Sequence, residues 1–249
     1  MKGLLRKLLG PWRRQLYTPN AWLGPLANPF YVARRGLWLA MLDLAPRLQG
    51  RLLDVGCGNK PYADLFAHMQ HVGLEIDSPA TRAHSKAEFF YDGGRMPFKA
   101  ASYDAVLINQ VLEHVFEPEA FLRELHRVLK PGGLLLVTVP FVWDEHCQPA
   151  DFARYTRFGL GHLLKKQGFQ VLVHLQTGSG LQAVTQLTAG AVYKVTVTWP
   201  RVLGWLPHWL VIVPLNLAGA LAGLLGLGGQ DLYLDNVALA QAVPIRRSR

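Results

Sequence analysis

The sequence predicts an α/β protein built on a doubly wound, mostly parallel sheet, and three short segments support this fold class. The apolar run at 52–55 has the composition of a parallel strand that is covered on both faces. Gly56 and Gly58 follow directly, and glycines at that place permit a tight turn. Further strands are predicted at 71–74 and 105–108, so strands and connections alternate as in strand–helix–strand units.

The turn after the first strand is typical of a nucleotide site. Pro61 suits the first position of a helix, which we predict over 61–69, and the free N–H groups of its first turn would face a ligand. Glu75 ends the second strand roughly twenty residues after Asp54, the distance at which an acid reaches a ribose hydroxyl in dinucleotide sites. A nicotinamide dinucleotide would require a third glycine near Pro61, which makes that cofactor the weaker interpretation.

Over about residues 51–177 the chain resembles the class I S-adenosylmethionine-dependent methyltransferases, specifically their small-molecule branch. The resemblance rests on the order and spacing of these motifs: Asp54-Val55-Gly56-Cys57-Gly58, Gly73-Leu74-Glu75-Ile76-Asp77, Asp92 with Met96-Pro97-Phe98, Tyr103-Asp104-Ala105-Val106, Val111-Leu112-Glu113-His114-Val115 and Val128-Leu129-Lys130-Pro131-Gly132-Gly133. Asn59 stands where many relatives have a third glycine, and asparagine tolerates a left-handed backbone better than most residues. The resemblance implies a Rossmann-like, seven-stranded, mostly parallel sheet with helices on both faces, to which this chain adds an apolar insert before the last strand.

The cofactor that the resemblance implies is S-adenosylmethionine. The residues expected to border its methionine part, sugar and adenine all follow strands or glycine turns: Asp54, Gly56, Gly58, Glu75, Asp92, Met96 and Asn109. Two of these assignments have a structural alternative. Asp92 could serve as a turn residue before Gly93, and the side chain of Met96 could belong to the core.

The acceptor of the methyl group should bind in the loop 140–156, which follows the predicted fifth strand at 134–139. This loop collects more titratable and aromatic groups than a plain connection needs. The candidates are His146 as general base, with Trp143, Asp151, Arg154 and Tyr155 as acceptor-binding residues. Alternatively, Asp151 pairs with Arg154, and Thr156 caps a helix that runs to Gln167. We expect a structural or supporting role for His114.

Composition bounds the class of protein. The 249 residues, half of them hydrophobic, suffice for one substantial core with attachments. Cys57 and Cys147 stand far apart without a paired-cysteine motif, so we expect reduced thiols, no metal site and a location on the cytoplasmic side.

The net charge of +9 is concentrated at the two ends. Residues 1–42 carry +7 without any acid and the tail 244–249 carries +3, which leaves −1 for the remainder. A nearly neutral catalytic body does not offer the basic groove that tracks phosphates, so we expect no nucleic-acid partner. The basic ends are typical of surface anchors.

The N-terminal segment 1–45, which precedes the predicted catalytic core at 46–178, is basic and aromatic. The leucines between positions 4 and 9 share one helical face until Pro11, which indicates a short interfacial helix. The aromatic residues after it suit either a membrane interface or a lid over the cofactor. A mitochondrial presequence is a third interpretation, since the segment is acid-free.

An apolar insert at 179–230 separates the core from its last strand, which we predict at 231–243. Residues 202–229 contain no Lys, Arg, Asp or Glu, and the centre of this stretch is long enough to cross a bilayer. Pro214 and Asn216 make it a poor straight span. Because strands of one sheet bracket the insert, we expect a hairpin that contacts the membrane; a buried helix pair or a dimer interface is the alternative.

The sequence thus predicts a methyltransferase that acts on a small-molecule or lipid-linked acceptor, most simply at oxygen and at a membrane surface. The protein would be cytoplasmic and peripheral or monotopic on the membrane. Three other functions stay open: a non-catalytic module that binds a partner or membrane, an RNA methyltransferase, and a nicotinamide oxidoreductase. The oligomeric state cannot be read from the sequence.

Overall fold

The computed structural model describes residues 17–244, so the predicted N-terminal leucine helix and the basic tail after Pro244 lie outside the described residues. The chain divides into two compact units. One unit, here called the core unit, comprises Met41–Leu175 and the chain from Asn236 onward. The other, the hairpin unit, comprises the chain up to Ala40 together with Gln176–Asp235.

The sheet has seven strands, which confirms the predicted fold class. They are β1 (Arg51–Val55), β2 (Gln70–Ile76), β3 (Phe89–Tyr91), β4 (Tyr103–Asn109), β5 (Leu129–Pro140), β6 (Phe169–Thr177) and β7 (Asp235–Ala242). Their spatial order is β3-β2-β1-β4-β5-β7-β6, and neighbours from β3 to β5 pair in parallel. Backbone hydrogen bonds link Val243 to Gly168 and Leu234 to Thr177. The end of β7 therefore lies beside the start of β6, and β7 runs antiparallel to β6.

Three helices connect the strands of the core unit: α3 (Pro79–His84), α4 (Pro118–Val128) and α5 (Arg157–Lys166). Helix α4 buries a stripe of apolar side chains that includes Phe121 and Leu125. Helix α5 begins at the predicted cap, because the Thr156 hydroxyl accepts a hydrogen bond from the Gly159 N–H at 3.0 Å.

The prediction of a helix over 61–69 is wrong. Only a 3₁₀ turn forms in this segment, at Ala63–Phe66. The backbone bonds of this segment join each N–H to the carbonyl three residues earlier, as in Leu65 to Tyr62 and Met69 to Phe66. The tighter turn places Phe66 in the core, where it is fully buried.

The carboxyl ends of β1, β2, β4 and β5 meet at one edge of the sheet, because these strands are parallel. Ligands of open α/β sheets bind outside this edge. The last residues of these four strands and the loops that leave them carry all the predicted site residues except Asp92 and Met96, which follow the short strand β3. The sheet therefore gathers the candidate site at one place.

Within residues 17–235, the hairpin unit has the helices α1 (Gly24–Ala27), the first part of α2 (Tyr31–Leu44), α6 (Leu181–Thr196), α7 (Arg201–Pro207) and α8 (Val213–Leu224), with a π turn at His208–Ile212. Helices α6 and α8 pack closely where Gly219 lies beside Thr185; a Cβ on this glycine would come within 2.5 Å of the threonine hydroxyl. Gly180 and Gly228 are also in close contact, so the chain leaves and returns at one point. Residues 181–224 thus form a helical hairpin.

One continuous helical stretch of the hairpin, Leu203–Leu224, is long and apolar enough to cross a membrane by length and composition, with a mean hydropathy of 1.4. Only 28% of its most apolar window is buried. The last strand begins at Asp235, four residues later than the sequence predicts, and residues 231–234 contribute no strand.

Three polar side chains tie the hairpin to the N-terminal segment 25–33. The buried Asn216 donates to the carbonyls of Pro25 and Asn28, each at 2.9 Å. The buried Gln186 donates to the Pro29 carbonyl and accepts from the Ala33 N–H. A ring nitrogen of His208 lies 2.7 Å from the Leu26 carbonyl. The N-terminal segment and the insert, which the sequence presents as separate regions, share one hydrogen-bonded unit.

We expect Asn216→Leu to lower the free energy of unfolding by about 1–3 kcal/mol, because the variant leaves two buried carbonyls without their donor. Urea unfolding followed by circular dichroism measures this change. Leu217→Ala is the matched control: its side chain is 49% exposed, and we expect a change within about 0.5 kcal/mol. Equal midpoints for Asn216→Leu and the unaltered protein would show that these hydrogen bonds contribute no net stability.

Candidate active site

Asp54 ends β1 in a small cavity beside the glycine turn. Its carboxylate is buried, and Oδ2 lies 2.9 Å from Nε2 of His71. Burial raises the pKa of Asp54, while the hydrogen bond from His71 opposes that rise. The cavity is also lined by Gly56, Cys57, Tyr62 and Asn109. The side-chain oxygen of Asn109 accepts a hydrogen bond from Thr138, which fixes the amide at the edge of the sheet.

Glu75 ties the end of β2 to the glycine turn. Its Oε2 accepts a hydrogen bond from the Gly58 N–H at 3.0 Å, and Oε1 accepts one from the Ile76 N–H. Gly58 has a φ of +47°, and the space where a side chain would stand is open to 4 Å. The turn therefore offers bare backbone at a place where a ligand can approach closely.

Asp92 lies on a cleft of about 590 Å³ that also includes Ile76, Arg95, His114, Phe116 and Phe152. Asp92 is exposed, and its Oδ1 accepts a hydrogen bond from the Gly94 N–H at 2.9 Å. The turn role that the sequence left open is thus present. It does not exclude a ligand, since a carboxylate has acceptor sites beyond this one bond.

The structure places Met96 in the core, which is the alternative that the sequence left open beside a role at the cofactor. Its side chain is 2% exposed and belongs to the same core cluster as Phe121 and Leu125. It lines neither of the two cavities described above. The Met96 N–H donates to a carboxylate oxygen of Glu124 at 2.8 Å, and this bond holds the segment against α4 with the thioether inside.

The charged side chains of the loop 140–156 bind each other. Arg154 donates to both carboxylate oxygens of Asp151, at 2.6 and 2.7 Å, and also to the carbonyls of Trp143 and Asp144. The Arg154 guanidinium holds the pKa of Asp151 well below its usual range. The structure thus shows the alternative that the sequence left open, in which Asp151 pairs with Arg154. The two charges bind each other instead of facing an acceptor. Burial and the charge of Glu113 raise the pKa of the Tyr155 phenol.

His146 and His114 lie beside each other, with ring centroids 4.8 Å apart. Nδ1 of His146 is 3.2 Å from the Asp144 carbonyl and 3.4 Å from Oδ2 of Asp151. Burial lowers the pKa of His114, which favours the neutral ring. Both Nε2 atoms face Oε1 of Glu113, at 3.9 Å for His114 and 4.0 Å for His146.

Glu113 is the site residue that the sequence analysis missed. Its side chain is fully buried, and its backbone carbonyl accepts hydrogen bonds from the N–H groups of Phe152 and Ala153. An acid next to a histidine, in a segment otherwise apolar, was the available signal. Glu113, His114 and His146 bring three potential metal-ligating atoms within 4.8 Å of one another, where the sequence predicts no metal site.

The two cysteines have different surroundings, and both are free thiols. Burial and the charge of Asp54 raise the pKa of Cys57 to about 12, so this thiol stays protonated beside the glycine turn. Cys147 is exposed in the loop 140–156.

The groups at the strand ends suit S-adenosylmethionine. Its hydroxyls, amines and sulfonium are donors or positive charges, and the site presents the carboxylates of Asp54, Glu75 and Asp92 to them. The open space beside Gly58 leaves room for the sugar and methionine parts. The acids and the bare turn together fit this cofactor.

Comparison with known proteins agrees with this geometry. Residues 53–137 match the family model described as a methyltransferase domain. A protein of Mycolicibacterium smegmatis named as a probable S-adenosylmethionine-dependent methyltransferase is 32% identical over 171 residues, which cover 62% of this chain and 66% of that protein. A ubiquinone biosynthesis O-methyltransferase of Ruegeria pomeroyi is 36% identical over 105 residues, covering 34% and 38% of the two chains.

The fold is shared more widely than the sequence. The crystal structure of the [4+2]-cyclase SpnF superposes with a TM-score of 0.56 at 19% identity, over 97% of this chain and 95% of that one. The chain spans about 56 to 66% of the length of the first curated relatives it matches. Strand order, motif residues and these matches lead to one conclusion: the chain belongs to the class I S-adenosylmethionine-dependent methyltransferases.

Proposed function

We propose that this protein is an S-adenosylmethionine-dependent methyltransferase with a small-molecule acceptor. The observation that carries the proposal is the arrangement at the strand ends, where the carboxylates of Asp54 and Glu75 border an open glycine turn and Asp92 lies on the cleft after β3. The cofactor, when bound, supplies a methyl group that its sulfonium already activates. The residues of the chain then need only to align the acceptor and exclude water, and alignment alone can supply roughly 7–11 kcal/mol of the barrier.

Glu75→Gln tests the cofactor site. We expect the dissociation constant for S-adenosylmethionine to rise about tenfold or more, because a hydrogen bond to a charged group is worth about 1.5–3 kcal/mol. Glutamine keeps an acceptor for the Gly58 N–H, so the turn should stay folded. Isothermal titration calorimetry gives the affinity. Glu145→Gln, an exposed change in the loop 140–156, is the control and should leave affinity unchanged. Absence of binding by the unaltered protein would favour a non-catalytic module.

We place the transfer at an oxygen atom of the acceptor. A hydroxyl must lose its proton during the transfer, and a positioned side chain can accept that proton. The pair His114 and His146 beside the buried Glu113 supplies such groups next to the cleft. The similarity to a protein named as an O-methyltransferase supports the same atom.

The exposed apolar surface of the hairpin unit supports binding to a membrane. Leu210 is 70% exposed and Leu224 is 83% exposed, and Trp199, Trp205 and Trp209 are each about half exposed. Large exposed apolar surfaces mark interaction sites, and tryptophan is enriched at membrane interfaces. Because the hairpin leaves and returns at one point, it would enter and leave the membrane on the same side, which excludes a single crossing. We therefore propose peripheral or monotopic binding, from the cytoplasmic side.

Membrane binding can be tested by flotation with phosphatidylcholine vesicles. The unaltered protein should float with the vesicles, whereas the double variant Leu210→Glu, Leu224→Glu should bind at least tenfold more weakly, since each buried leucine contributes about 1.5–3 kcal/mol. Leu172→Glu is the control, because Leu172 is a 48% exposed leucine that lies on β6 in the core unit. Recovery of the unaltered protein wholly in the soluble fraction would overturn membrane binding.

A protein held at a membrane meets acceptors that reside in lipid, so we favour a lipid-linked acceptor. An RNA acceptor is disfavoured, since the chain between its basic ends carries a net charge near zero.

The acceptor can be sought with methyl-labelled cofactor and a cell extract separated into lipid and aqueous phases. We expect label in the lipid phase, in a product whose methyl group is bonded to oxygen. His146→Ala should reduce labelling about a hundredfold, a typical loss for a group that assists proton transfer, with little change in cofactor affinity. His162→Ala, an exposed change on α5, serves as control.

Two outcomes would contradict these assignments. Label confined to the aqueous phase would rule out the lipid-linked acceptor. Equal loss of labelling and of cofactor affinity in His146→Ala would remove His146 from the transfer step.

A further inference from the structure

Glu113, His114 and His146 form a cluster at the edge of the cleft that contains Asp92. We propose that this cluster binds one divalent transition-metal ion through Oε1 of Glu113 and the Nε2 atoms of the two histidines. The hydrogen bonds made by Nδ1 of each imidazole ring identify Nε2 as the ligating atom of each histidine. Oε1 is the Glu113 oxygen that both Nε2 atoms face.

Nδ1 of His114 lies 2.5 Å from the carbonyl oxygen of Ala150. A carbonyl oxygen can only accept, so Nδ1 must carry a proton. In the neutral ring the lone pair is then on Nε2, which is 3.9 Å from Oε1 of Glu113. His114 therefore presents a ligating atom to the carboxylate.

His146 has the same arrangement on an independent segment. Its Nδ1 lies 3.2 Å from the Asp144 carbonyl and 3.4 Å from a carboxylate oxygen of Asp151, both of which accept hydrogen bonds. Its Nε2, 4.0 Å from Oε1 of Glu113, again carries the lone pair of the neutral ring. Three atoms with lone pairs converge, and a cation between them removes their mutual repulsion.

The distances suit a metal ion. An ion about 2.1 Å from each ligand in tetrahedral geometry holds the ligands roughly 3.4 Å apart. The two histidine–carboxylate distances of 3.9 and 4.0 Å need to shorten by about half an ångström, and the ligand atoms of the two histidines, which lie within 4.8 Å of each other, need to approach by at most about 1.4 Å. Two imidazoles and one carboxylate suit Zn²⁺, Fe²⁺, Co²⁺, Ni²⁺ or Mn²⁺. Backbone carbonyls that hold the far nitrogen of each ring are the usual outer shell of such ligands.

The three ligands leave one side of the ion open. Glu113 is fully buried, but the side chains of His114 and His146 keep 24% and 30% of their exposure. Two hydrogen bonds from Phe152 and Ala153 to the Glu113 carbonyl hold the loop of His146 against the segment of His114. Three protein ligands with open positions are typical of catalytic metal sites.

A role in transfer follows and rests on the proposed function: an ion at this site would bind the acceptor oxygen and lower the pKa of its hydroxyl. The hydroxyl proton leaves to water, and the oxygen lone pair forms the new bond to the methyl carbon. The electrons of the broken carbon–sulfur bond remain on sulfur. On this account His146 assists the loss of the proton as a metal ligand.

The test is Co²⁺ titration of the full chain after chelator treatment, followed by visible absorption. We expect one Co²⁺ per chain with the spectrum of a nitrogen and oxygen site, and displacement by Zn²⁺. His146→Ala, His114→Ala and Glu113→Gln should each weaken Co²⁺ binding at least tenfold. His84→Ala and His162→Ala, at exposed histidines outside the cluster, should bind as the unaltered protein does. Circular dichroism and the affinity for S-adenosylmethionine verify that each variant is folded.

Two results would overturn the metal site: no stoichiometric Co²⁺ binding by the unaltered protein, or equal affinity in folded His146→Ala. Binding of S-adenosylmethionine without Co²⁺ binding would reject the metal site alone. Co²⁺ binding without S-adenosylmethionine binding would keep the site and reject the proposed function.

Discussion

The parallel pairing of β1, β2, β4 and β5 is the constraint on which the rest of the core unit depends. It forces four chain segments of distant sequence to end at one edge, where their loops supply carboxylates, an amide and two histidines. Hydrogen bonds fix several of these side chains: Asp54 is held by His71, Glu75 by the glycine turn, and Asn109 by Thr138. Preorganisation of this kind is what a transfer reaction governed by alignment requires.

In the loop 140–156, the charges of Asp151 and Arg154 hold the conformation of the loop. The salt bridge between Asp151 and Arg154 is short, bidentate and mostly buried, and the Asp151 carboxylate also accepts the His146 N–H. A buried ion pair is weak evidence for stability, but Arg154 here also donates to the backbone carbonyls of Trp143 and Asp144 and so holds the loop. Its effect is to place one imidazole beside another that comes from the segment after β4.

The sequence predicts best what local pattern controls. Leu52, Leu53 and Val55 lie in the buried strand β1, because a strand covered on both faces takes apolar side chains on each of them. Pattern fails where tertiary contacts decide: Met96 turns inward through the bond from its N–H to Glu124. Glu113 acquires its partners from residues more than thirty positions later, which periodicity does not reveal. Asn216 looks like a defect in an apolar span, yet it is the donor for two buried carbonyls.

The hydrogen bonds of Asn216, Gln186 and His208 join an N-terminal segment to an insert 157 to 191 residues away in sequence. Neither part satisfies its buried polar groups alone, so loss of one strands donors or acceptors in the other. We therefore expect deletion of either region to destabilise the other, although most of the catalytic fold lies between them in the chain.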